Sequence, residues 1–222
     1  MWPFRTRVYG CHWLGFGDLW ANCSRAARLA QAGGVRFSAY PGKDARLRID
    51  RAPLIREILG QLDLDTRRVE IVHAPMDPDD FGVRAHAEPY VPTRVRWRGA
   101  GSRLVTYQLV THTRHRSERL LSDTDVKRFR AWCEARGWHA RDLWRPPHPT
   151  GAEPSLAQSI EWLAESAFFV GIDSGASHVA HSVGVPSYLR DWPELAHAHR
   201  GKRYTPFSSI EALCAELERT HA

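Results

Sequence analysis

Phe168-Phe169-Val170-Gly171-Ile172 is an unbroken apolar run that leads directly into Asp173-Ser174-Gly175 and then into a segment of helical pattern. A strand with no polar side cannot face water on either surface, so it belongs in the middle of a sheet covered on both faces. Such sheets are parallel, and parallel strands need crossover connections, usually helices. The rest of the chain should therefore alternate strand and helix.

It does so in two series. The first opens with a strand near Thr6–Cys11 and passes through the turn Gly15-Phe16-Gly17-Asp18 into a helix over 19–32, which Gly33-Gly34 stops. A strand at 35–40 ends at Pro41-Gly42, and a helix over 54–62 and a strand over 69–73 follow. Residues 75–98 show no period and read as loop. The second series begins with a β-branched and aromatic run at 103–111. Ser122 then caps a helix whose Val126, Phe129 and Cys133 share one face. Gly137 ends that helix, a strand is expected over 138–143, and Pro154-Ser155 opens a helix with Leu156, Ile160 and Leu163 inward. After the strand 168–172 come a helix over 176–183, a strand over 185–189 and a last helix with a capping box from Ser208 to Glu211. The expectation is an α/β fold of two small Rossmann-like lobes, 1–98 and 99–222, each with a parallel sheet and with a cleft between them. A single continuous sheet is the competing arrangement.

Ligands of open α/β sheets bind beyond the carboxyl ends of the strands. Asp173-Ser174-Gly175-Ala176-Ser177-His178 stands at such an end and opens a helix. The first N–H groups of a helix lack internal partners and carry the positive end of its dipole, which suits a phosphate. Gly175 admits a ligand to the main chain, and Ser174 and Ser177 add hydroxyls. Asp173 is no anion attractor; it would accept hydrogen bonds from sugar hydroxyls or cap the helix. His178 is a donor to sugar or phosphate on one reading and a helix-face histidine bonded internally on the other.

The string from Phe169 through His178 to Gly184-Val185-Pro186 resembles the signature of the heptosyltransferase-type glycosyltransferases (glycosyltransferase family 9). These are two-lobed GT-B enzymes that use nucleotide-diphosphate sugars. Gly15-Phe16-Gly17-Asp18 is similar to the Gly-x-Gly-Asp turn that opens their acceptor lobe. The resemblance implies Asp18 as the base that activates the acceptor hydroxyl, with Gly15 and Gly17 on the acceptor side. Trp13 and Trp20 flank that turn as a candidate acceptor platform. It also implies donor binding by residues 173–178 and by a cation after the first strand of the second lobe, for which Arg116 is favoured among Arg114, Arg116 and Arg119. The family usually runs well beyond the 222 residues here, and the proline it places soon after Gly-Asp is absent from Leu19–Ser24.

Charge narrows the partners. The excess of basic residues is 31 − 25 = 6. Between positions 94 and 119 lie arginines 94, 96, 98, 103, 114, 116 and 119 against Glu118 alone, so this segment holds the whole excess. Such a run is a solvated face or the footprint of an anionic partner: a lipid-linked saccharide, a protein or a nucleic acid, with peripheral membrane contact included. No apolar run reaches the ~20 residues of a membrane span, and Met1-Trp2-Pro3-Phe4-Arg5 is not a signal peptide, so a cytoplasmic protein is expected. Cys11, Cys23, Cys133 and Cys214 form no Cys-x-x-Cys pair and read as reduced thiols. No set of histidines and carboxylates has metal-ligand spacing, so neither metal nor cofactor is expected. The function expected is metal-independent glycosyl transfer from a nucleotide-diphosphate sugar. The alternatives are a non-catalytic sugar-nucleotide binding module and a nucleic-acid-directed glycosyltransferase.

Overall fold

The computed structural model describes residues 7–11, 15–40, 50–76, 88–110, 120–143, 154–193 and 195–221. They form two compact units, residues 1–94 with 199–201, and residues 95–198 with 202–222.

The first unit has strands β1 (Val8–Tyr9), β2 (Val35–Ser38) and β3 (Val69–Val72), hydrogen-bonded in parallel in the order β1-β2-β3. Helix α1 (Phe16–Ala32) follows β1, and α2 (Ala52–Gln61) follows β2. The inner face of α1 is built largely from small residues (Ala21, Cys23, Ala26, Ala27 and Ala30 are buried), which lets the helix lie close to the sheet. Arg51 at the start of α2 is buried, and its guanidinium donates to the Cys11 carbonyl at 3.1 Å, tying α2 to the exit of β1.

The second unit has strands β4 (Leu104–Gln108), β5 (His139–Asp142), β6 (Phe168–Gly171), β7 (Ser187–Arg190) and β8 (Thr205–Phe207). All neighbours pair in parallel, in the order β5-β4-β6-β7-β8. The sheets are therefore two, not one. Helix α3 (Asp123–Ala135) follows β4, α4 (Leu156–Glu165) follows β5, α5 (Gly175–Val183) follows β6, the short α6 (Leu195–Ala198) follows β7 and α7 (Ile210–His221) ends the unit. Alternation along the strands sorts side chains to the two faces. Val105, Tyr107, Phe168, Val170 and Tyr188 join Val126, Phe129 and Cys133 of α3 and Ile210, Leu213 and Leu217 of α7 in one core. Phe169 and Gly171 look to the other face, where α4 packs on α5. A Cβ at Gly171 would sit 2.5 Å from the Phe169 ring, so the bare backbone here makes room for an aromatic side chain.

Several sequence expectations shift. Helix α1 begins at Phe16, so Asp18 is in the first turn, and the N-cap is Gly15. Ser209, not Ser208, caps the last helix, through a bond from the Ala212 N–H at 3.2 Å. Leu156 is only partly buried, whereas Ile160 and Leu163 are core. Strand β8 and α6 were not anticipated. Cys11, Cys23, Cys133 and Cys214 are free thiols, and burial pushes Cys133 up to about 12 and Cys214 up to about 11, which keeps both protonated and inert. Among the described residues no helix is long and apolar enough to cross a membrane.

Candidate ligand site at the topological switch point

Numbered within their own unit, the strands of the second sheet run 2-1-3-4-5. In that order the connections after the first and third strands leave for opposite faces, opening a crevice at their carboxyl ends. Those strands are β4 and β6. Their ends are in register, with Gln108 opposite Gly171, and the Ile172 N–H donates to the Gln108 carbonyl at 3.1 Å. Asp173-Ser174-Gly175 therefore begins at the crevice, and α5 starts from it.

The turn divides its residues by exposure. Ser174, Gly175 and Ala176 are partly exposed, whereas Asp173, Ser177 and His178 are buried. Ser177 is spent on the backbone: its hydroxyl donates to the Ser174 carbonyl at 2.6 Å and accepts the Ser174 N–H at 3.1 Å. That arrangement closes the first turn of α5. Asp173 faces His178, Oδ1 to Nε2 at 3.5 Å, with both side chains nearly out of water. His178 thus lies within ion-pair distance of Asp173, and the N-cap of α5 is Ser174.

Gln108 was not anticipated. It is buried, and its Oε1 accepts the Ser174 hydroxyl and, more weakly, the Ala176 N–H at 3.4 Å. The last residue of β4 thus holds the beginning of α5 from across the crevice. What remains at the surface is a helix N-terminus presenting Ser174, Gly175 and Ala176, the geometry that binds an anion. Gly184, with φ 86°, ends the helix in the left-handed region.

The other expected site residues belong to the first unit or fall outside the described residues. Arg116 and Trp13 fall among residues that are not described. In the first unit Gly15 is exposed at the start of α1, and a Cβ on it would meet the Asp18 carboxylate at 2.6 Å, so Asp18 folds back over the Gly15 backbone. Gly17 is buried, and Trp20 is fully buried against Phe16, with ring centroids 6.1 Å apart. Trp20 is core and offers no surface on which an acceptor could stack.

The arginine run is also largely engaged where it is described. Arg98 bonds Glu161 at 2.6 Å and Glu165 at 3.0 Å on α4. Arg94 donates to the Leu62 carbonyl at 3.2 Å, and the Arg103 guanidinium lies 5.0 Å from the Trp138 ring centroid. A cavity of about 360 Å³ lined by Arg103, Trp138 and His221 sits at the opposite, amino edge of the same sheet, away from the strand ends that form ligand sites.

The fold is thus α/β, with two Rossmann-like units of parallel sheet, one of them bearing a helix N-terminus at its switch point. Solved structures agree. The iron-containing dodecameric glycosyltransferase TibC from enterotoxigenic E. coli H10407 superimposes with a TM-score of 0.59 at 13% identity, over 91% of this chain and 64% of that one. The same heptosyltransferase in complex with ADP-D-beta-D-heptose gives 0.58 at 13% identity, over 91% of this chain and 62% of that one. E. coli heptosyltransferase WaaC with ADP gives 0.51 at 13% identity, over 96% and 98%. The chain thus spans under two thirds of the length of TibC. No protein-family model and no curated protein matches the sequence. Likeness at this identity establishes the fold; the activity is argued separately.

Proposed function

We propose that the protein is a glycosyltransferase that moves a sugar from a nucleotide-diphosphate donor to an acceptor hydroxyl without a metal ion. The observation that carries this is the partly exposed Ser174-Gly175-Ala176 start of α5 at the switch point between β4 and β6. In the reaction the acceptor oxygen bonds the anomeric carbon, the bond from that carbon to the diphosphate oxygen breaks, and the nucleoside diphosphate leaves with the negative charge. The main-chain N–H groups and dipole at the start of α5 stabilise that charge, with Arg116 as a further cation. Asp18 takes the acceptor proton. Transfer should survive excess chelator, since helix dipole and arginine can carry the charge that a metal would otherwise carry; activity lost to EDTA and restored by a divalent ion would remove that part of the proposal.

Donor binding is the first test. ADP-, UDP- and GDP-sugars, with ADP-heptose the first choice because it is the ligand of a structural neighbour, should raise the melting temperature. Gly175→Val should abolish the shift while leaving the ligand-free protein folded, because a branched side chain blocks approach to the main chain. An unchanged shift in Gly175→Val would remove the site.

A non-catalytic sugar-nucleotide binding module is the second reading, in keeping with the fully buried Trp20, which offers no acceptor platform in the first unit. It predicts the same thermal shift with neither transfer nor donor hydrolysis.

A further inference from the structure

Arg190 is the last residue of β7, the strand next to β6. Leu189 stands opposite Gly171, so Arg190 is level with Ile172, roughly 5 Å away across the ladder, where the chain turns toward Ser174. The residue is half-buried, and its Nε is shut off from solvent with no hydrogen-bond partner. Among the described residues it forms no ion pair, whereas Arg98, Arg128, Arg136 and Arg219 each hold a glutamate. The acid that feels its charge, Asp125, is already occupied: its carboxylate accepts the Ser122 hydroxyl at 2.7 Å and the Ser122 N–H at 3.2 Å. A cation with a desolvated, unbonded nitrogen destabilises the fold that contains it. Its place on the ligand edge gives that cost a purpose.

The face matters as well. Tyr188, two residues earlier, packs against Phe168 on the α3 and α7 side, so the Arg190 side chain starts on that side. Helix α5 begins on the other side. An anion seated over the edge at Ser174–Ala176 therefore has helix amides on one flank and a guanidinium fork on the other. We propose that Arg190 is an anion-binding residue of this site and contacts the diphosphate of the donor. The proposal rests on the nucleotide-sugar reading and names a cation on a different strand from the segment that holds Arg116.

The test measures ADP affinity by calorimetry, and melting temperature without ligand, for the parent, Arg190→Met, Arg190→Lys and Gly175→Val. Arg190→Met keeps the stem and removes the charge. It should weaken ADP by tenfold or more while the ligand-free melting temperature holds or rises, because the unbonded nitrogen is gone. Arg190→Lys should recover part of the affinity but not all, since an ammonium lacks the planar fork. ADP affinity in Arg190→Met within twofold of the parent would overturn the proposal. So would a large fall in ligand-free melting temperature in both variants, which would make Arg190 a structural residue. The two failures are separable: if Gly175→Val loses ADP and Arg190→Met does not, Arg190 is wrong and the site stands. If the parent binds none of ADP, UDP or GDP, both fall.

Discussion

Gln108 joins stability to ligand binding with opposite signs in two substitutions. Its Oε1 holds the Ser174 hydroxyl and the Ala176 N–H, the latter at a long 3.4 Å. Gln108→Leu removes both bonds from a buried position. One ordinary hydrogen bond contributes about 1 kcal/mol and the weak one less; Ser174 and Ala176 are partly exposed, so water recovers some of the loss. The expected cost is about 1–1.5 kcal/mol, a fall of roughly 3–8 °C in melting temperature for a unit of this size. Gln108→Glu behaves differently. Its carboxylate accepts both bonds and favours the positive end of α5, so the melting temperature should stay near the parent's above pH 6. The same charge then opposes the incoming diphosphate. At about 6 Å and an effective dielectric near 20, each like-charge pair costs on the order of 2–3 kcal/mol, or roughly 30- to 150-fold in ADP affinity. Thermal melts and calorimetry on one preparation read both quantities. Gln108→Leu should retain ADP binding, because a phosphate oxygen can take the two donors it frees. An unaltered melting temperature in Gln108→Leu would refute the hydrogen-bond assignment. Parental ADP affinity in Gln108→Glu would refute phosphate binding at the first turn of α5.

Asp18 sits in the first turn of α1 behind an N-cap that is glycine, so Asp18→Asn should cost little stability, about 0.3–1 kcal/mol of dipole interaction, while lowering transfer by on the order of 10²-fold; full activity would end its assignment as base. Asp125 has a lowered pKa, first through the Ser122 hydroxyl, so its contribution is present above its unfolded value near pH 4 and disappears as pH falls through the lower folded value. The melting temperatures of the parent and Asp125→Asn should therefore differ at pH 6 and converge in acid once Asp125 is protonated in the folded state, and a gap that persists there would contradict the capping-box assignment.

Strand–helix alternation was legible because each element has a local cause. Ser122 and Ser155 cap α3 and α4 as their spacing indicates, through bonds of 3.1 Å from Asp125 and Gln158. The misplaced cap on α7 has a physical origin: Ser208 and Ser209 adjoin, and the end of β8 at Phe207 decides which one reaches the first turn. That strand was itself hidden by Pro206, which argues against a central strand. At the edge of the sheet β8 has one neighbour only, and a missing N–H can be tolerated there. Trp20 misled for a related reason. Its place beside a glycine-rich turn suggests a surface, but as the fifth residue of the helix it faces inward, and local sequence does not reveal the tilt of a helix on its sheet.

The ligand turn shows where a motif stops being informative. Asp173 to His178 has the residue types of a phosphate site, yet only Ser174, Gly175 and Ala176 face out, while Ser177, His178, Val179, Ala180, Ser182 and Val183 are buried. A helix enclosed on that many sides needs small residues to fit, and its buried polar groups must find polar partners, as Ser177 bonds Ser174 and His178 faces Asp173 at 3.5 Å. Half of the motif is thus packing and half is surface, a division that the string of letters does not contain. Gln108 and Arg190 come from other strands, 66 residues before Ser174 in the case of Gln108, and only the pairing of β4 and β7 with β6 brings them to the same edge. The local motif specifies the helix start. The register of the sheet determines which side chains that start will meet.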